Sequence, residues 1–234
     1  MNNNAARRFL ALVGVALKPS RKWLFLLFAA TLPGLAALSG PFFYADDYSM
    51  IHKNPLVTGA RPLWSAFYTQ YFTHYAPLHN IFIWLQWQFF GDYALGFRVV
   101  SLLLHFGAAV GCWKMLKNLT GRDWLAYGVA LVWAAHPAQC ESVAWIVEQK
   151  TLLCGLFGFW SLAVYFDRSQ SASKRICLAL ALMVLSGLAK AHGLVIAPLI
   201  VLYELTVARE QKPRSSLVSS LLRTAPFIVV AAAL

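Results

Sequence analysis

Tyr44-Ala45-Asp46-Asp47 opens a polar, aromatic-rich stretch that extends from Phe43 to Gly91 between apolar segments. The segments on either side have the length and composition of membrane helices. Two adjacent carboxylates just beyond a membrane helix are costly unless they are solvated or paired, so they form the first candidate functional site. The alternative is a solvated loop in which one aspartate caps a helix.

The composition predicts an integral membrane protein. Of the 234 residues, 59% are hydrophobic and 12% are charged, whereas a soluble domain has roughly 45–50% and about 25%. A spanning helix needs about 20 apolar residues, so about six or seven spans fit and a separate soluble domain does not. We therefore expect an all-α, polytopic transmembrane helical bundle over residues 23–234, preceded by a basic cytoplasmic segment at residues 1–22.

The basic residues determine the orientation. The net charge of +11 comes from clusters in alternate connections, which is the positive-inside pattern of cytoplasmic loops and argues against a nucleic-acid surface. The clusters contain Arg7, Arg8, Lys18, Arg21, Lys22, Lys114, Lys117, Arg122, Arg168, Lys174, Arg175, Arg209, Lys212, Arg214 and Arg223. The opposite connections contain only Lys53, Arg61, Lys150 and Lys190. The loop at residues 43–93, with Asp46 and Asp47, is therefore predicted to be external.

Two segments of this external loop are predicted to be interfacial. Aromatic residues recur every three or four positions from Leu63 to Tyr75, which is typical of a helix lying on the membrane surface. The apolar stretch Leu78–Phe90 is short for a span and carries Gln86 and Gln88, so we interpret it as re-entrant or interfacial.

The two ends of the chain leave questions open. Trp23–Gly40 is either an uncleaved first helix or a signal peptide, because Ala37-Leu38-Ser39 has the small-x-small pattern of a cleavage site. Both interpretations place Asp46 on the same side of the membrane. The last apolar run, from Leu217 to Leu234, has no polar flank, so we expect the sequence to be a fragment of a longer chain.

A second external concentration of polar residues extends from His136 to Lys150. If the chain is helical from Gln139, then Glu141, Trp145 and Glu148 share one face. Lys150 lies about 200° round from Glu148 and would face elsewhere. Two carboxylates beside a tryptophan suit a polyol ligand; a capping and headgroup role is the alternative.

Arg98 lies about one turn inside the outer end of the predicted span Ala94–Met115. Its guanidinium either snorkels to the headgroups or holds a lipid phosphate through two parallel hydrogen bonds. The four cysteines lack metal-site spacing and are interpreted as small core residues. No metal site or other cofactor is expected, although two carboxylates and a phosphate could recruit a divalent cation.

These motifs resemble the amino-terminal half of the GT-C membrane glycosyltransferases, in particular those fused to tetratricopeptide repeats. The resemblance covers about Phe43 to Tyr203. Its most specific part is His136-Pro137 followed by Glu141-Ser142-Val143-Ala144-Trp145, Glu148 and Lys150. The other matching segments are Tyr44 to Asp47, Asn54-Pro55, Pro77-Leu78, Phe89-Phe90-Gly91, Leu102 to His105 and Ala189-Lys190.

The resemblance implies inverting transfer of a sugar from a polyprenyl-phosphate donor to a protein or glycan acceptor on the external face of the membrane. It implies that Asp46 is the general base and that Asp47 supports it. The predicted substrate-binding residues are Arg98, His136, Glu141, Glu148, Lys150 and Lys190. The chain departs from the family pattern at Ala76, where the family often has histidine, and at Gln149 and Ala191.

Two other functions remain open. One is a membrane transporter or lipid-carrier-binding protein in which the same cations hold a lipid phosphate without chemistry. The other is an inactive truncated remnant. In each case we expect a multi-pass protein, and the family includes bacterial members, which predicts a bacterial inner-membrane protein whose site faces the periplasm.

Overall fold

The computed structural model describes residues 19–38, 46–71, 74–208 and 217–234, and the regular structure in these ranges is helical. Residues 1–18 of the predicted basic segment and the Tyr44-Ala45 dipeptide lie outside them. Ten α-helices are described: α1 (Pro19–Thr31), α2 (Asp46–Ile51), α3 (Pro77–Phe90), α4 (Ala94–Thr120), α5 (Asp123–Ala135), α6 (Cys140–Ala144), α7 (Gln149–Phe166), α8 (Ala172–Ala189), α9 (Ile196–Leu205) and α10 (Leu217–Ala233). The all-α prediction is confirmed.

Two of the described helices are long and apolar enough to cross a membrane. They are α4, with 27 residues, and α8, with 18. Shorter apolar helices cover Asp123–Ala135, Ala191–Leu205 and Ser220–Ala233. The expected total of six or seven spans therefore stays a prediction.

Helices α4 and α7 run side by side in the same direction. Near their first turns, the Gln149 side-chain amide donates to the backbone oxygen of Phe97 at 2.8 Å. Near their last turns, the Asn118 amide donates to the backbone oxygen of Ala163 at 2.9 Å. The 18 residues of α7 span about 27 Å.

Buried apolar residues fill the space on both sides of this pair. One cluster joins α1, α4 and α5, where Ala109 and Ala130 are fully buried beside Trp113. The small alanine side chains let the helices approach closely. The second cluster joins the four helices α7, α8, α9 and α10 around Tyr165 and Met183.

Charged residues separate to the two ends of α7. At the end where α7 begins, Glu148 contacts Lys150 and Lys190. At the other end, Arg223 pairs with the buried Glu204. The orientation inferred from the basic clusters stays a prediction.

The predicted helix from Leu63 to Tyr75 does not form. The structure has only a short 3₁₀ turn at Leu63–Phe67, and the Ser65 hydroxyl bonds to the Tyr71 hydroxyl at 2.9 Å, so the chain folds back. The side chains of Trp64 and Tyr68 are nevertheless 67% and 69% exposed, as a membrane-surface anchor requires.

The cysteine prediction is wrong in part. Cys112 is buried in the core, as expected for a small apolar side chain, and Cys154 is half-buried. Cys140 and Cys177 are exposed, because both lie on helix faces turned away from the packed core.

Candidate functional site

Asp47 connects the predicted external loop to the turn just before α7. Its side chain is fully buried, and its Oδ1 accepts a hydrogen bond from the backbone N–H of Val147 at 3.0 Å. Asp47 also interacts electrostatically with Arg98 of α4. Asp46, at the first position of α2, is half-buried. The loop with the two aspartates is therefore docked on the segment that follows His136.

Arg98 does not snorkel to the headgroups. It is 2% exposed and is the largest of the fully enclosed side chains in the described residues. A buried guanidinium needs a nearby negative charge, and the Asp47 carboxylate provides one. The sequence did not indicate this interaction, because Asp47 and Arg98 are far apart along the chain.

Glu148 lies between two lysines, and the prediction that Lys150 faces elsewhere is wrong. Glu148 Oε1 is 3.0 Å from Lys150 Nζ, and Glu148 Oε2 is 3.4 Å from Lys190 Nζ. The Thr151 hydroxyl donates to Glu148 Oε2, and Lys190 Nζ donates to the Thr151 hydroxyl at 2.7 Å.

A break in the helix explains this arrangement. Trp145 has φ −93° and ψ 114°, which is extended backbone. Glu148 therefore ends a 3₁₀ turn, Ile146–Glu148, just before α7 begins. The predicted shared face of Glu141, Trp145 and Glu148 is also wrong, because Glu141 lies before the break in α6, where it is exposed.

The cluster lines a cavity of about 510 Å³. Its polar wall includes Glu148, Lys150 and Lys190. The rest of the lining combines His74, Tyr75 and His192 with apolar groups from Leu188, Leu194 and Leu234. A cavity lined by two ammonium groups and by apolar side chains suits an anionic group attached to a hydrocarbon chain.

Sequence reasoning missed several residues of this site. Thr151 follows Glu148 by one helical turn, and that spacing was the available signal. His192 follows Lys190 in the 3₁₀ turn Ala191–Val195 between α8 and α9. No local pattern marked His74 as a cavity residue, because its approach depends on tertiary packing.

His79 lies buried close to the cluster. Both of its ring nitrogens lack a hydrogen-bond partner, as do both polar atoms of the buried Asn80 side chain. Burial, together with the positive charge of Lys150, lowers the pKa of His79 to about 3. The imidazole is therefore uncharged at neutral pH and adds no positive charge to the site.

His136 lies apart from this cavity. Its Nδ1 accepts a hydrogen bond from the Ala138 backbone N–H at 3.1 Å, so it caps the turn that follows α5. Its side chain also borders an apolar groove of about 610 Å³ along α5, with Trp124 and Trp133. Within the described residues, no group of three or more His, Cys, Asp or Glu side chains is placed to hold a metal ion.

The ion pairs of Glu148 predict an acid-dependent loss of stability. Burial raises the pKa of Glu148, but the Thr151 hydrogen bond and the two lysines outweigh burial and lower the pKa from 4.5 to about 2. A depressed carboxyl pKa stabilises the fold above pH 4.5, by about 3 kcal/mol at full ionisation, and this contribution is lost as the pH falls towards 2. We expect Glu148→Gln to lower the free energy of unfolding at pH 7.

Thermal unfolding in detergent from pH 7 to pH 3 tests this prediction. His79 lowers the stability of both proteins as the pH falls below 6.5, because its imidazole is protonated in the unfolded chain but not in the folded protein. The diagnostic quantity is therefore the difference between wild type and Glu148→Gln, which should shrink below pH 4.5. A difference that stays constant across this range contradicts the assignment.

Three curated proteins are similar to most of this chain. Protein O-mannosyl-transferase F38B6.6 of Caenorhabditis elegans is 28% identical over 192 residues, which is 76% of this chain and 27% of the relative. The chain is a distant homologue of the amino-terminal region of protein O-mannosyl-transferases. Protein O-mannosyl-transferase TMTC4 of Homo sapiens is 25% identical over 70% of this chain and 27% of its own length. Protein O-mannosyl-transferase Tmtc2 of Drosophila melanogaster is 27% identical over 73% of this chain and 20% of its own length.

This homology confirms the resemblance found in the sequence. The chain spans about a quarter of the length of the curated relatives that it matches. All three relatives are animal proteins, so the expected bacterial location gains no support from them. No protein-family model matches the chain, and no solved structure matches it significantly.

Proposed function

We propose that this chain is the membrane part of a glycosyltransferase that moves a sugar from a polyprenyl-phosphate donor to a protein or glycan hydroxyl. The observation that carries the proposal is the cavity that Lys150 and Lys190 line together with apolar side chains. This cavity lies at the same end of the bundle as Asp46, because Asp47 bonds to Val147, directly before Glu148. The names of the relatives favour mannose as the sugar.

The chemistry needs a base and a stabilised leaving group. Asp46 takes the proton of the acceptor hydroxyl while the oxygen attacks the anomeric carbon. The bond from that carbon to the donor phosphate breaks, and the phosphate leaves with the electron pair. Lys190 and Lys150 stabilise the charge that develops on the phosphate.

Asp47 positions the base. Because its carboxylate is buried on the Val147 N–H and interacts with Arg98, it fixes the first turn of α2 against α4 and α7. The half-buried Asp46 is then the aspartate open to an acceptor. In this proposal the protein is multi-pass, the cavity faces the non-cytoplasmic side, and Glu141 and His136 lie outside the cavity.

A transfer assay tests the proposal. Membranes that contain the chain are incubated with a polyprenyl-phosphate mannose labelled in the sugar, and incorporation into a hydroxyl-bearing acceptor peptide is measured. Binding of the donor without transfer would favour the lipid-carrier alternative. Absence of both from a folded protein would contradict the proposal.

Lys190→Gln is expected to raise the KM for the lipid-linked donor by about tenfold, because a lost charge-assisted hydrogen bond costs about 1.5 kcal/mol or more. The matched control is Lys174→Gln, which removes an exposed lysine at the start of α8, near the opposite end of α7. Equal KM values for the two variants would exclude Lys190 from the donor site.

A further inference from the structure

The cavity beside α7 contains its own negative charge. Glu148 lines it together with Lys150 and Lys190, so these three groups leave one net positive charge. The Glu148 side chain is 17% exposed, and its carboxylate oxygens are already 3.0 and 3.4 Å from the lysine nitrogens. An anionic ligand that reaches the lysines must therefore lie close to a carboxylate.

We propose that Glu148 offsets one of the two lysine charges, and so weakens the binding of the doubly charged phosphomonoester that remains after sugar transfer more than the binding of the singly charged phosphodiester donor. This inference rests on the proposed function, since that reaction converts a lipid phosphodiester into a lipid phosphomonoester. Glu148 thus promotes product release.

The charges of the two lipids carry the argument. A phosphodiester has one ionisable oxygen and a charge of −1 at neutral pH. A phosphomonoester loses a second proton near pH 6 and carries close to −2 above pH 7. The repulsion from the Glu148 carboxylate scales with the charge of the ligand, so it weakens the binding of the phosphomonoester about twice as much as the binding of the phosphodiester.

The surroundings of Glu148 keep this balance unchanged. Its low pKa keeps the carboxylate ionised, and the neighbouring His79 is uncharged at neutral pH. Measurements belong at pH 8, where the phosphomonoester carries its second charge.

A purely structural role for Glu148 predicts a different result. If the carboxylate only holds the two lysines in place, its loss should weaken the binding of both lipids equally. If it balances charge, its loss should favour the monoester selectively. The ratio of the two affinities separates these roles.

Calorimetry at pH 8 on the purified full chain tests the inference with two short probes, farnesyl phosphate and its monomethyl ester. We expect Glu148→Gln to strengthen binding of farnesyl phosphate, relative to the methyl ester, by on the order of tenfold, since one like-charge contact is removed. Glu148→Asp, which keeps the charge, should retain the wild-type ratio. Asp167→Asn, at the opposite end of α7, is the charge-matched control.

In the transfer assay, Glu148→Gln should also make farnesyl phosphate a more potent product inhibitor. An unchanged ratio in Glu148→Gln, or a failure of wild type to bind either probe, would overturn the inference. Transfer without this discrimination refutes the role of Glu148 and leaves the proposed function standing. Discrimination without transfer supports the role of Glu148 in lipid binding and refutes the proposed reaction.

Discussion

Asp46→Asn is expected to lower the rate of sugar transfer by about 10²–10⁴-fold, because an amide cannot accept the proton that a general base removes. Asparagine has nearly the same shape as aspartate, so the fold and the affinity for the lipid-linked donor should not change. Initial rates with labelled donor give the first quantity, and calorimetry gives the second.

The control for this variant is Asp92→Asn. Asp92 has a 76% exposed side chain that pairs with His52, and it lies outside the cavity, so this variant should keep the wild-type rate. Transfer at the full rate by Asp46→Asn would show that the base is another group. Loss of donor binding in the same variant would place Asp46 in the donor site instead.

Asp47→Ala is expected to destabilise the protein by about 3–5 kcal/mol, the usual cost of removing one partner from a buried charge pair. The substitution removes the negative charge near Arg98 and the acceptor of the Val147 N–H. Unfolding of the purified protein in detergent, followed by circular dichroism, measures the loss.

Asp92→Ala provides the comparison, since an exposed ion pair contributes less than about 1 kcal/mol. A double-mutant cycle with Arg98→Met then isolates the coupling of the two charges. Equal losses for Asp47→Ala and Asp92→Ala, or a cycle without coupling, would refute the role of Asp47 as the anchor of α2.

Much of the fold could be predicted because it depends on local patterns. Apolar runs indicated the helices, and Pro137 marked the end of α5, which stops at Ala135. The clustering of polar residues at the predicted external ends also indicated that the loop of Asp46 and the segment after His136 share one end of the molecule. The contact of Asp47 with Val147 agrees with that prediction.

The details of the site depended on geometry that a helical period does not contain. The extended backbone at Trp145 changes the direction of every side chain after it, and so brings Lys150 onto Glu148. Arg98 is buried because a charge from a distant segment compensates it. The burial of His79 close to the cluster follows from tertiary packing, since a histidine in the first turn of an apolar helix is equally compatible with a surface position.

Glu148 and its neighbour Gln149 differ in a way that affects how the site responds to its surroundings. The side-chain amide of Gln149 joins three helices through uncharged hydrogen bonds, to Gln86 of α3 and to Phe97 and Ser101 of α4. Such bonds are insensitive to acid, whereas the ion pairs of Glu148 are lost when acid protonates the carboxylate. The rigid scaffold and the adjustable part of the site are therefore consecutive residues, and strong acid should release the lysines without separating the helices that carry them.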